Sequence, residues 1–275
     1  MADLFQRRAR LTVDGIQVED LRLQFTVKKS AKKEPNTAEI SVFNLAQATR
    51  GRLQARGARV VLEAGYPDTL GTIFSGDART IDHVRTGAEW VTKIQCGDGE
   101  RAYQFRNAAL SFSAGARRAD VVAAVIDSLG LLPGNAAAQV AANVTGSTSR
   151  FLNGYSGVGN SARQLDNLLR PVDLTWSIQD GEIQVLTATG TRREIAVVLD
   201  KDTGLIGSPE HGAPDKKGKP SVLKCRSLLQ AVIKPGSRVL IKSLNTNGHY
   251  RVETVTHSGD TAGGDWYSSL EARPV

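Results

Sequence analysis

The chain has 275 residues and a formal charge of +7; 40% of its residues are apolar, 23% are charged, and there are two cysteines. This composition supports a packed core and excludes global disorder, and no apolar run approaches the ~18–20 residues of a membrane-crossing helix. The first ten residues are basic with no apolar stretch behind them, which argues against a secretory leader, so synthesis and folding in a cytoplasm are expected, with room for roughly two domains.

The first hundred residues read as strands. Residues 11–13 and 16–18 flank Asp14-Gly15, a tight-hairpin signal. Residues 21–27 alternate, placing Leu21, Leu23, Phe25 and Val27 on one face. A polar loop over 28–36 carries Lys28, Lys29, Lys32, Lys33, Glu34 and Asn36. The strand pattern resumes over 37–45 with Ala38, Ile40 and Val42 on one side, and a short helix is expected over 47–55. Further strands fall at 59–64, 72–84 and 90–96, the last ending at Gly97-Asp98-Gly99.

The middle changes period. Val122, Val125, Ile126 and Leu129 form a helical stripe over 119–129, stopped by Gly130 and Pro133-Gly134. Residues 136–149 are small and polar and read as a loop. Ser161 is the expected cap of a helix running to Arg170, with Leu165, Leu168 and Leu169 inward. A hairpin follows, with strands 174–178 and 183–186 around Asp180-Gly181. After Leu199 strands return. Residues 207–220 are rich in Gly, Pro and Lys and read as a surface loop, followed by strands at 221–229, 238–243, 249–257 and 266–272.

The two β-rich regions look like copies. Gly57-Ala58-Arg59-Val60-Val61-Leu62 matches Gly236-Ser237-Arg238-Val239-Leu240-Ile241. A Gly71-led strand then ends at His83, and a Gly248-led strand ends at His257. Each is followed by a glycine-containing loop and a tryptophan-led strand, at Trp90 and Trp266. Small loop differences are thermodynamically cheap, so a duplicated fold tolerates them.

Little in the chain suggests chemistry. Cys96 and Cys225 stand apart in strand-like alternation and read as small buried hydrophobes; no ligand cluster points to a metal, and no cofactor is expected. Asp77, Asp82 and His83 are the densest acid–imidazole cluster, but Asp82 and His83 are strand neighbours facing opposite ways. Gly-x-Ser-x-Gly, His-Glu-x-x-His and phosphate-binding loops are missing. A cell-wall hydrolase is therefore a rival reading without visible machinery. The basic clusters at 28–33 and 216–219 are not interleaved with aromatics, which disfavours the other rival, a nucleic-acid or carbohydrate-binding β module.

Several ordered segments resemble phage baseplate hub proteins of the late-control protein D group. They are Phe25-Thr26-Val27-Lys28-Lys29-Ser30, the run from Lys33 through Asn36 to Leu45, and Val60-Val61-Leu62-Glu63-Ala64-Gly65-Tyr66. Ile73-Phe74-Ser75-Gly76-Asp77, Cys96-Gly97-Asp98-Gly99, the run from Gly159 to Leu169 and Trp176-Ser177-Ile178-Gln179-Asp180-Gly181 complete the set. The resemblance implies a mainly β fold: two tail-tube-like antiparallel β-barrel domains, 1–105 and 190–275, with a small α/β insertion, 106–189. It implies a non-enzymatic homotrimer that presents six tube-like domains and joins a sixfold tail tube to a threefold central spike carried by another chain. The tail tube and spike proteins are then the expected partners, with tape-measure and baseplate wedge proteins as further candidates. The expected place is a virion tail baseplate, without membrane insertion or sequence-specific nucleic acid. The segment with Lys28, Lys29, Lys32, Lys33, Glu34 and Asn36 is the expected subunit interface.

Overall fold

The computed structural model describes residues 6–53, 57–192, 196–212 and 221–275. Strand periodicity opens the chain: β1 (Arg8–Val13), β2 (Ile16–Val18), β3 (Leu23–Ser30) and β4 (Thr37–Phe43). The short helix α1 (Gln47–Arg52) leads to β5 (Arg59–Gly65), β6 (Gly71–Thr86) and β7 (Glu89–Gly97). Asp14 and Gly15 sit at φ 44° and 78°, the two positive values that a tight two-residue hairpin needs.

The middle contains α2 (Glu100–Phe105), β8 (Asn107–Phe112), β9 (Ala116–Arg117), α3 (Arg118–Leu129) and α4 (Ala136–Asn143). It continues through β10 (Arg150–Phe151), β11 (Tyr155–Asn160), α5 (Ser161–Leu169), β12 (Leu174–Gln179) and β13 (Glu182–Thr187). Two expectations are corrected here. Residues 136–143, read as loop, form α4, because alanine favours helix and Ala136 and Val140 find a buried face. The cap of α5 is Asn160, not Ser161: Asn160 Oδ1 accepts from Arg163 N at 3.0 Å, while buried Ser161 is hydrogen-bonded to Ser128 at 2.8 Å.

The last part holds β14 (Val197–Leu199), β15 (Leu205–His211), β16 (Leu223–Leu228), β17 (Arg238–Lys242), β18 (Asn247–Asp260) and β19 (Trp266–Pro274). Residues 207–211, expected in a loop, belong to β15, which accommodates Gly207 and Pro209 through a break in its register against β16. The lysine cluster at 216–219 lies outside the described residues.

Packing divides the chain into two units. One comprises 1–31, 36–98 and 191–275; the other comprises 32–35 and 99–190. The second unit has its own core, in which Val122, Val125, Ile126 and Leu129 of α3 and Leu165, Leu168 and Leu169 of α5 pack with Trp176, Ile178, Ile183 and Val185 of the β12–β13 hairpin. The first unit is one 13-stranded sheet, ordered β15-β16-β19-β18-β3-β4-β7-β6-β5-β1-β2, with β17 beside β18 and β14 beside β17. The two β regions are thus continuous through the antiparallel pair β3–β18.

Inside this sheet one topology occurs twice. The pairing β3-β4-β7-β6-β5 is repeated as β15-β16-β19-β18-β17, in the same chain order. Arg59-Val60-Val61-Leu62 and Arg238-Val239-Leu240-Ile241 share the burial pattern exposed, buried, half-buried, buried. The glycine before each strand is left-handed, Gly57 at φ 85° and Gly236 at 83°. Gly57 N donates to Ala78 O and Ala78 N to Ala58 O; likewise Gly236 N donates to Val252 O and Val252 N to Ser237 O. A register break follows directly, between Ala78 and Thr80 in β6 and between Val252 and Thr254 in β18. With those breaks matched, Trp90 and Trp266 are equivalent, as are His83 and His257. Gly248, however, corresponds to Phe74 rather than Gly71: each lies opposite the equivalent apolar residue, Ile241 or Leu62.

Candidate assembly interface

Alternation gives the continuous sheet one apolar and one polar face. Phe25, Ile40, Ile94, Val255 and Leu270 point to the core side. Across the other face run Gln24, Thr26 and Lys28 of β3, Glu39 and Ser41 of β4, Lys93 and Gln95 of β7, and Thr80 and Asp82 of β6. Thr254, Thr256 and Ser258 of β18, Ser269 and Glu271 of β19, and Lys224 and Arg226 of β16 extend it across the second repeat. These residues are exposed or half-buried. The face is dominated by hydroxyls and amides, with four cations against three anions among the named residues. The named residues therefore offer water a wettable surface with little net charge, bordered at one end by an apolar row of Phe43, Val91 and Val84 across β4, β7 and β6.

The repeats meet where β3 pairs with β18, from Thr254 opposite Ser30 to Asp260 opposite Gln24. One end of this seam is clamped. Arg22 Nε and Nη2 reach Asp260 Oδ1 and Oδ2 at 3.2 and 2.8 Å, a bidentate pair. Thr261 N donates to Leu23 O, and Leu23 N donates to Thr261 Oγ1. The Arg22 hydrogen bond is the largest influence holding the Asp260 carboxyl below the usual aspartate range.

The seam is also packed. Phe25 meets Trp266 edge to face, with ring centroids 5.5 Å apart. Gly259, opposite Phe25, leaves the room for that contact: a Cβ there would collide with the Phe25 ring and lie 2.8 Å from Trp266 Cε3. Both repeats keep a histidine–hydroxyl pair one step from this position. His83 Nδ1 lies 2.9 Å from Thr92 Oγ1, and His257 Nδ1 lies 2.9 Å from Ser268 Oγ. His257 is 1% exposed, whereas His83 is half-buried and its Nε2 has no partner among the described residues.

The expected interface segment is more structured than a loop. Lys28 and Lys29 continue β3, the first exposed and the second buried, because the strand alternation runs on through Ser30. Asn36 is buried and locks the hairpin: its Oδ1 accepts from Ser30 N at 2.9 Å and its Nδ2 donates to Asp98 Oδ2 at 3.3 Å. Lys32, Lys33 and Glu34 are exposed at the tip, and Lys33 Nζ pairs with Asp166 Oδ2 at 3.1 Å. The Arg22–Asp260 clamp is not foreseeable from the sequence, because an ion pair across 238 positions leaves no local signal.

The chemistry-bearing residues do not converge. Asp77 faces Arg59 at 4.0 Å, Asp82 lies on the polar face, and His83 turns to the core side. Among the described residues no three His, Cys, Asp or Glu side chains gather as metal ligands. Burial pushes the Cys96 and Cys225 thiols up to about 12 and about 11, so neither is a ready nucleophile. A concavity of about 520 Å³ beside β15 is lined by Glu210, Lys224, Arg226 and Glu271, with Thr254 Oγ1 donating to Glu271 Oε2 at 3.3 Å.

No protein-family model matches the chain, and no curated protein does. Solved structures do match it. The 43 kDa tail protein of prophage MuSo2 from Shewanella oneidensis superposes with a TM-score of 0.68 at 7% identity, covering 98% of this chain and 97% of that one. The chain has the fold of phage tail proteins. A tail protein from Neisseria meningitidis gives 0.65 at 9% identity, over 98% and 96% of the two chains. A type VI secretion component from E. coli, described as similar to the bacteriophage T4 tail proteins gp27 and gp5, gives 0.63 at 12% identity, over 96% and 76%. The β-rich architecture expected from the sequence is thus one that tail proteins use.

Proposed function

We propose that this chain is the structural hub of a contractile-type tail baseplate, a homotrimer joining a sixfold tail tube to a threefold central spike. The observation that carries the reading is the repeated five-strand unit. Two such units per chain, β3–β7 within the tube-like domain 1–105 and β15–β19 within the tube-like domain 190–275, supply six from three chains. Six equivalent units match a tube ring on one side, while the threefold chain symmetry matches a spike on the other. The polar sheet face then lines the channel, where hydroxyls and amides let cargo pass without adhesion. The insertion, 106–189, packs around a core of its own.

On this reading the chain does no chemistry, in keeping with the scattered Asp77, Asp82 and His83. The test is co-assembly of the purified chain with candidate tail tube and spike proteins. Simultaneous binding of both in one particle is expected. Competition between tube and spike for the chain, or peptidoglycan clearing lost on replacing Asp77 or His83, contradicts the proposal.

A further inference from the structure

The two repeats are alike in topology but not in how their edges are covered. Asn44 N donates to Trp90 O, so even-numbered residues of β7 bond to β4 and odd-numbered ones to β6. Through the β6–β7 register, Thr80, Asp82, Val84 and Thr86 spend their backbone groups on β7. Ile81, His83 and Arg85 therefore point N–H and C=O outward. In β18 the equivalent residues Val255, His257 and Gly259 direct the same groups to β3, in a ladder bracketed by Ala31 N to Glu253 O and Thr261 N to Leu23 O. In β6 the partner β5 stops opposite Asp77, and among the described residues no strand lies beyond it. The difference shows in burial. Val255 and His257 are buried while Ile81 and His83 are half-buried, and Val84 is 42% exposed.

The missing strand has a counterpart. β3 covers β18, and the equivalent of β3 is β15, the outermost strand at the opposite end of the sheet. We propose that the open edge of β6, residues 80–86, pairs antiparallel with β15 of a second copy of this chain, head to tail. The inference rests on the hub reading and names the joint that closes its ring. The internal seam fixes the register. Ala38 and Leu223 are equivalent, since they face the matched residues Cys96 and Ala272. Val27 then corresponds to His211 and Thr26 to Glu210. His257 opposite Val27 becomes His83 opposite His211, and Ser258 opposite Thr26 becomes Val84 opposite Glu210.

Side chains at the joint fit this transfer. Within the chain, bulky Phe25 faces Gly259, the small residue that makes room for it. At the proposed joint the sizes would be exchanged: continuing the Glu210 and His211 register by one residue puts the compact Pro209, the last residue of the register break in β15, opposite the long Arg85. Pro209 has no N–H to donate, and Leu205 N is already given to Asp200 O. The edge of β15 is thus blunted against indiscriminate pairing, and His211 is its described residue free to complete a hydrogen-bonded pair. The joint between copies is therefore weaker than the seam within a chain, so assemblies should dissociate into intact chains.

Cysteine cross-linking tests the register. Val84 and Glu210 would form a non-hydrogen-bonded cross-strand pair, the closer of the two antiparallel spacings, with separation suited to a disulfide. The full chain carrying Val84→Cys and Glu210→Cys is oxidised alone and with its tube protein; Cys96 and Cys225 are buried and do not compete. A link between copies is expected, with a Thr80→Cys, Glu210→Cys control, four residues out of register, remaining unlinked. A three-copy assembly without the 84–210 link overturns the joint and leaves the hub reading standing. Linked pairs or open ladders support the joint while overturning the trimer. Absence of both link and assembly overturns the joint too. As a second variant, Arg85→Pro removes an outward N–H and no bond to β7. It should weaken self-association at least tenfold with the unfolding transition of the single chain unchanged; unaltered association contradicts the proposal.

Discussion

Gly259 and Arg85 occupy the same place in the two repeats, yet their surroundings demand opposite things. Gly259 is wedged between Phe25 and Trp266, so adding one methyl forces rings apart in a close-packed seam. Gly259→Ala should cost about 1–3 kcal/mol in urea unfolding, the usual penalty of overpacking. Arg85→Ala, on an exposed edge, should stay within about 0.5 kcal/mol of the parent chain. Equal effects would mean that the seam does not impose the difference. Residue-scale features of this kind were only partly legible. The matched Arg59/Arg238, Trp90/Trp266 and His83/His257 stand in the sequence, but Trp90 is 37% exposed under Arg50 while Trp266 is buried. Periodicity reports which side of a strand a residue takes, not which element covers it.

At the scale of elements, the seam depends on a clamp that titrates. The Asp260 carboxyl is held below its ordinary range by Arg22, so the folded state favours the charged form. The resulting stability is fully present above the ordinary aspartate value and is lost as pH falls through the depressed folded value. Asp260→Asn should therefore destabilise the chain near neutral pH, and the gap between variant and parent should close as the pH drops below about 4. A gap that is independent of pH would show that the clamp acts through shape alone. Element types were well read where one period dominated, as in 21–27 and 119–129. They were misread where composition was ambiguous. The alanines of α4 looked like linker because small residues carry no stripe. β15 looked like loop because glycine and proline punctuate it, although both are tolerated at an edge with a register break. The polar segment over 28–36 looked like one long loop, while Asn36 and the continuing alternation of Lys28 and Lys29 shorten it to a hairpin tip.

On the scale of the whole molecule, the duplication was legible because three of the five strands kept a matched residue, Arg59/Arg238, His83/His257 and Trp90/Trp266. What could not be read was the pairing of β3 with β18, which fuses the repeats into one sheet. That contact joins residues more than two hundred positions apart and is specified by the edges themselves, not by any local pattern. The same edges, one covered and one open, make the chain look like one segment of a larger closed arrangement. Native mass spectrometry of the chain with the proposed tail tube partner, with the symmetry of the particle read by electron microscopy, tests this most directly. Three copies presenting six β repeats around one channel are predicted; two or four copies, or repeats that do not share a common ring, would contradict the account.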